Sequence, residues 1–169
     1  MKYFSNAWAS GDLSEAENAR VLADYSRDLA ATFDENSSVR RFVSAVGLND
    51  AYVDKVSFDP GAGKLDLLLL TGSLQVGYWH TQLSYSGVIE LIGEPVLKAA
   101  LATRPTEIWY DEFYREGDDI CHAFLLTPRG QAIESFGEYA VRFKRFDYSQ
   151  MPAKDRELMS SDDRSDWAV

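Results

Sequence analysis

The stretch Tyr52-Val53-Asp54-Lys55-Val56-Ser57-Phe58-Asp59-Pro60-Gly61-Ala62-Gly63-Lys64-Leu65-Asp66-Leu67-Leu68-Leu69-Leu70 decides the fold class. Val56 and Phe58 alternate with Lys55 and Ser57, the period of two that sends successive side chains to opposite faces of a strand. Asp59 to Gly63 then supplies turn residues, and Lys64 to Leu70 resumes an extended run. The reading is a β-hairpin. Leu67 to Leu70 is apolar at consecutive positions, so the second strand is expected to be central and covered on both faces.

Toward the C-terminus the period of two recurs. Val76 to Tyr85 reads as a third strand, with Tyr78, His80 and Gln82 on one face and Trp79, Thr81 and Leu83 on the other. Val88 to Ile92 either extends it or forms a short fourth. Glu94 to Ala102 suits one or two helical turns, with Pro95 early, where its missing N–H costs little. Glu107 to Arg115 and Ile120 to Thr127 read as antiparallel partners across the turn Glu116-Gly117-Asp118-Asp119, and Pro128-Arg129-Gly130 marks another turn. The last strand is expected over about 138–148, with Tyr139, Val141 and Phe143 inward and Arg142 and Lys144 outward. After Pro152 the chain turns polar, and Ser160 to Asp166 has a disordered composition.

Toward the N-terminus the period lengthens. Leu22, Tyr25, Leu29 and Phe33 recur at spacings of three and four, one stripe of a helix over about 13–33. Ser14 and Glu17 have the spacing of a capping box. A second helix starts at Ser37 or Ser38, turns Val39, Phe42, Val43 and Val46 inward, and ends at Gly47 in the left-handed C-terminal position. Tyr3, Phe4 and Trp8 anchor the preceding segment to the core.

The fold class that results is α+β: two N-terminal helices packed on an antiparallel sheet of five to seven strands, with a sandwich and a partial barrel both open. The 169 residues suit a single domain over 1–150, helical over 1–47 and sheet over 48–150, followed by a polar acidic tail over 151–169. A chain of this length buries roughly 70% of its unfolded surface and needs neither metal nor disulfide to hold a core.

Charge narrows the function classes. Twenty-seven acidic against seventeen basic residues give a net charge of −10, with no basic arm or face. Phosphate neutralisation requires clustered cations, which argues against nucleic acid, and the run Arg142, Lys144, Arg145 reads as a solvated strand face. The acidic surface suits a basic protein partner. The longest apolar run, Leu67 to Leu70, is far short of the ~20 residues of a membrane helix. Met1 to Trp8 lacks the apolar centre of a secretory signal, and the single Cys121 suits a reducing compartment, so the expected location is the cytoplasm. Asn36-Ser37-Ser38 matches a glycosylation acceptor in form but reads as a helix-capping segment.

Few reactive groups stand out. His80 and His122 are the two histidines, and convergence with Asp111 or Glu112 would resemble a divalent-metal centre, although no pair has a recognised ligand spacing. Cys121 beside His122 looks like a nucleophile and its base, but adjacent residues of a strand diverge. No Gly-x-Ser-x-Gly elbow occurs, and Gly61-Ala62-Gly63-Lys64 is too short for a phosphate loop and precedes a strand. No catalytic, cofactor-binding or metal-binding residue is therefore assigned. The most distinctive segment is Trp109-Tyr110-Asp111-Glu112-Phe113-Tyr114. Alternation puts Trp109, Asp111 and Phe113 on one face and Tyr110, Glu112 and Tyr114 on the other, so the two carboxylates diverge. Trp109, Tyr110, Asp111, Glu112 and Tyr114, with His80 and His122, form the candidate interaction patch.

Leu48-Asn49-Asp50 followed by Val53 and Val56, then Leu65, Leu67 and Leu69, then Gly77-Tyr78, and finally Trp109 to Tyr114 resemble an uncharacterised bacterial domain family over about residues 48–148. Its pattern is a Leu-His-Asp-like start opening a small antiparallel sheet and a late Tyr-Asp-Glu-aromatic strand. Asn49 stands where that start has histidine. A histidine that did chemistry would be lost here; one that capped a turn is replaceable by asparagine. The resemblance implies a small bacterial accessory protein, an immunity-type partner of a toxin among the forms. The function expected is thus a non-catalytic protein-binding module without cofactor, with room for a homodimer. The alternative is an enzyme, or a protein binding a metal or small ligand, that uses His80, His122 and nearby carboxylates.

Overall fold

The computed structural model describes residues 1–102, 106–128, 137–156 and 158. Three helices open the chain: the single turn α1 (Asn6–Ala9), α2 (Glu15–Thr32) and α3 (Ser38–Ala45). Ser14 and Glu17 form the expected reciprocal capping box at the start of α2, and Ser37 caps α3 by accepting from the Arg40 N–H. The C-terminus of α3 departs from expectation. Val46 takes an extended conformation, φ −122° and ψ 119°, and carries the chain straight off the helix, while Gly47 is not among the residues with positive φ.

Strands β1 (Ala51–Asp59), β2 (Lys64–Ser73), β3 (Gly77–Ser86) and β4 (Glu90–Ile92) come next, then helix α4 (Glu94–Ala102). Strands β5 (Thr106–Glu116), β6 (Asp119–Pro128), β7 (Gly137–Phe143) and β8 (Arg145–Ala153) complete the described chain. All eight form one antiparallel sheet in the order β4-β7-β6-β5-β1-β2-β3-β8. That exceeds the five to seven strands expected from the sequence. The single strand expected over 138–148 divides at Lys144, because its two halves serve different neighbours: β7 pairs with β6 and β4, and β8 pairs with β3. The β8 ladder also runs to Ala153, through Pro152, into the segment expected to be tail. β8 pairs on one side alone, where proline is tolerated. The expected turn at 129–130 and the disordered composition at 160–166 lie outside the described residues.

The register shows how the sheet rolls. Ser86 pairs with Arg145 and Glu90 with Arg142, so the consecutive β3 and β4 together run antiparallel to the consecutive β7 and β8. The two ends of the strand order are thereby joined through chain continuity. The weak point of the ring is between β1 and β5, which pair only from Ala51–Val53 to Thr106–Ile108. Beyond it the freed edge of β5 meets α2, where Tyr25 Oη accepts from the Phe113 N–H at 3.1 Å. α3 fixes itself to β8 through a Ser38 Oγ hydrogen bond to the Phe146 carbonyl.

The core lies between the helices and the inner face of the sheet. Phe42 of α3 is fully buried, with ring centroids 5.9 Å from Phe113, 5.3 Å from Phe146 and 5.1 Å from Tyr148. Leu65, Leu67 and Leu69 enter this core from β2, as alternation requires. The expected cover on both faces of that strand holds only at its end: Leu68 is half-buried, whereas Leu70 is buried with Tyr52 on the opposite face, under the Arg156 guanidinium. Of the helical stripe, Leu29 and Phe33 are buried, but Leu22 stays 48% exposed at the edge of a groove between α2 and β5.

Candidate functional site: two aromatic grooves and a buried relay

The segment Trp109-Tyr110-Asp111 does not alternate as its sequence suggests. Ile108 pairs with Leu126 and Tyr110 with Leu125, so Trp109 is the extra residue of a β-bulge. Ile108 and Phe113 consequently both enter the core although five positions apart, which a regular strand forbids. β1 carries a matching irregularity between Val53 and Lys55. Beside the bulge, Asn49 Nδ2 donates to the Trp109 carbonyl at 2.8 Å. This bond ties the turn at Leu48–Asp50 to the bulge.

The bulge lets three consecutive side chains line one groove of about 310 Å³. Trp109, Tyr110 and Asp111 form one wall, and Trp8, Leu22 and Val46 contribute from the helical side. The rings stand steeply to one another: Trp8 and Tyr110 have centroids 4.5 Å apart at 85°, and Trp109 and Tyr110 6.3 Å apart at 77°. A second groove, of about 300 Å³, shares Val46 and Gly47 with the first and is lined by Val76 and Trp79 from the β2–β3 hairpin. The tip of that hairpin exposes Leu74 (90%) and Val76 (71%). Among the described residues, Asp111 is the one charged group lining either groove.

Behind the first groove, Asp111 leads into the core. Its Oδ2 lies 3.0 Å from His122 Nε2, and His122 Nδ1 lies 2.8 Å from Tyr85 Oη. Burial pushes the Tyr85 phenol well up, so it keeps its proton and donates to Nδ1. Nε2 therefore carries the imidazole proton and donates to Asp111. Burial pushes the His122 pKa down, opposed by the Asp111 hydrogen bond and charge. The ring is neutral, stacked on Phe113 at 3.7 Å and 21°. Such a chain orients a carboxylate and can pass a proton between its members.

The remaining candidates go elsewhere. Glu112 is fully buried on the opposite face and accepts the backbone N–H groups of Lys2, Tyr3 (2.8 Å) and Phe4 (2.9 Å), so it clamps the N-terminal segment. The two carboxylates diverge, as alternation predicts beyond the bulge. Tyr114 lies on that same side near Cys121, its phenol pushed up to about 12, chiefly by burial. The Cys121 thiol is likewise pushed up by burial, and its Sγ approaches Glu116 at 3.9 Å rather than His122. His80 pairs with Leu70 and Met151 on the outer face, away from His122, and its Nδ1 is buried without a partner among the described residues. Among the described residues no group of three His, Cys, Asp or Glu side chains could hold a metal ion, and no helix is long and apolar enough to cross a membrane.

Sequence reasoning placed Trp109, Tyr110 and Asp111 in one patch but missed Trp8, Val46 and Tyr85 as their partners. The tryptophans were the available signal: three of the four in the chain line these two grooves. A larger cleft, about 410 Å³, lies along β2, β3 and β8, lined by two cationic residues, Lys64 and Arg145, and two acidic ones, Asp66 and Asp147. It combines no convergent apolar wall with an unmatched charge. No protein-family model, curated protein or solved structure matches this chain.

Proposed function

We propose that the protein is a non-catalytic protein-binding module of the bacterial cytoplasm, of the accessory or immunity type, whose binding face is the pair of grooves joined at Val46 and Gly47. The observation that carries this reading is the gathering of Trp8, Trp79 and Trp109 in adjoining grooves. Tryptophan offers large rigid contact area, and it is the residue type most concentrated where partners gain binding energy. Exposed apolar groups beside such grooves mark interaction surfaces, and the exposed Val76 lines the second groove. The occupant is an apolar segment of a basic partner protein. The chain's net charge of −10 draws such a partner, and Asp111 receives its cationic group.

The test compares capture from the native host by the full chain, by Val46→Asp with Trp109→Ala, and by a control, Lys64→Ala with Asp66→Ala, on the outer sheet face. The expected result is a basic protein held by the wild type and the control and lost by the groove variant, with all three equally helical by circular dichroism. Equal capture by all three, or no stable partner across a range of salt concentrations, overturns the proposal.

A further inference from the structure

The second groove adjoins an apolar projection that the hairpin itself does not require. The β2–β3 ladder ends at the pair Ser73 and Gly77, and the residues beyond it are Leu74, Gln75 and Val76. Turns favour glycine, asparagine, aspartate and serine, yet Leu74 is 90% and Val76 71% exposed. Gly72 brings the strands so close below the tip that a Cβ would sit 2.1 Å from the Gly77 carbonyl oxygen, so the projection stands on a narrow neck. Val76 also lines the groove, with Val46, Gly47 and Trp79. The polar members of that lining are already engaged: Thr71 Oγ1 and Gln150 Nε2 lie 2.7 and 3.0 Å from Thr81 Oγ1. Projection and groove therefore adjoin on one surface.

We infer that this surface self-associates: Leu74 of one copy enters the second groove of another, and the other copy returns the contact around a two-fold axis. Such an interface has to be self-complementary, and a projection beside a groove on one face meets that condition. Charge selects the occupant. Two chains of net charge −10 repel, so they meet at least cost where the surface is free of like charge. From Leu67 to Ile89 the sequence has twenty-three residues without Asp, Glu, Lys or Arg, whereas the next longest uncharged runs, Tyr3 to Gly11 and Ile120 to Pro128, have nine. Among the described residues no charged side chain lines the second groove. A basic partner gains no attraction there, while a copy of the acidic chain escapes repulsion there. The inference goes beyond the partner proposed above, whose cationic group is received by Asp111 in the first groove. Val46, common to both grooves, sets partner and copy in competition.

The test is sedimentation velocity of the full chain over a range of protein and salt concentrations. A small apolar interface is weak, so a monomer at on the order of 1 µM and a dimer at on the order of 300 µM are expected. Added sodium chloride should tighten the dimer, because it screens repulsion between the copies and leaves the apolar contact in place. Leu74→Glu sets like charges in the interface and is expected to stay monomeric, with an unchanged circular dichroism spectrum because the site is an exposed turn. Leu74→Ala is expected to associate on the order of tenfold more weakly. A chain monomeric at every concentration, Leu74→Glu dimerising like the wild type, growth past a dimer, or a dimer that salt dissolves overturns the inference. Capture of the basic partner by a wild type that never self-associates sinks the dimer and leaves the binding face standing. A dimer lost in Leu74→Glu, with no partner captured by any variant, supports the dimer and sinks the partner.

Discussion

His122 shows how much one residue can be made to decide. Its ring has no water contact, so each nitrogen must find its partner within the fold, and Tyr85 and Asp111 supply them. His122→Phe fits the stack on Phe113 but strands the Tyr85 hydroxyl in the core, and a loss of about 1–3 kcal/mol is expected in urea unfolding. The pH dependence has a definite sign. The folded pKa lies below the ordinary 6.5, so below pH 6.5 the unfolded chain takes up a proton that the folded chain refuses. His122 therefore leaves stability whole above about pH 6.5 and erodes it as pH falls toward the folded pKa. The slope is at most about 1.4 kcal/mol per pH unit. Urea titrations at several pH values should show wild type losing stability faster than His122→Gln on acidification; parallel curves would contradict this. The meeting of His122 with Asp111 was among the possibilities open in the sequence, since their segments read as antiparallel partners, but Tyr85 was not, because it comes from β3 and meets them only when β3, β5 and β6 line one interior.

Among the elements, those with a strong period were legible and those set by neighbours were not. The capping box at Ser14 and Glu17, the stripe ending in Leu29 and Phe33, and the hairpin turn at 59–63 follow from local chemistry. The bulge at Trp109 has no such signature: it arises where β5 leaves its three-residue pairing with β1. Alternation was the right rule for Asp111 against Glu112 and for Cys121 against His122, and it failed across the bulge, where Trp109, Tyr110 and Asp111 share a groove. The division at Lys144 was hidden for the same reason, since the residues on both sides favour strand and the neighbouring strands differ. α3 seats its Phe42 ring in the interior against rings of β5 and β8. Phe42→Ala should cost about 3–5 kcal/mol, measured by urea unfolding, since its ring touches Phe113, Phe146 and Tyr148. A cost near that of an exposed helix position would show that α3 does not plug the core. At the β2–β3 tip, Gly72 has φ +97° and a Cβ there would sit 2.1 Å from the Gly77 carbonyl oxygen. Gly72→Ala is expected to lower the melting temperature and to disturb the presentation of Val76 and Trp79.

Across the whole molecule, a rolled antiparallel sheet buries one large aromatic interior and leaves two outer regions of different character. The outer face of β2, β3 and β8 mixes both signs of charge: Asp66 receives hydrogen bonds from Gln82 and Ser84, and Lys64, Arg145, Asp66 and Asp147 line one cleft. The helical end instead gathers tryptophans, with Asp111 the one charged residue among the described groove linings. Net charge and composition argued against nucleic-acid binding from the sequence, but the position of the proposed binding face needed the packing of α1 and α3 against β5. The most direct measurement is hydrogen–deuterium exchange of the full chain with and without the captured partner. Slowed exchange at 43–49, 71–79 and 108–111, with the outer strands at 64–68 and 145–149 unchanged, is the predicted result. Protection of those outer strands, with the residues around Val46 and Trp109 exchanging as they do in the free chain, would contradict it.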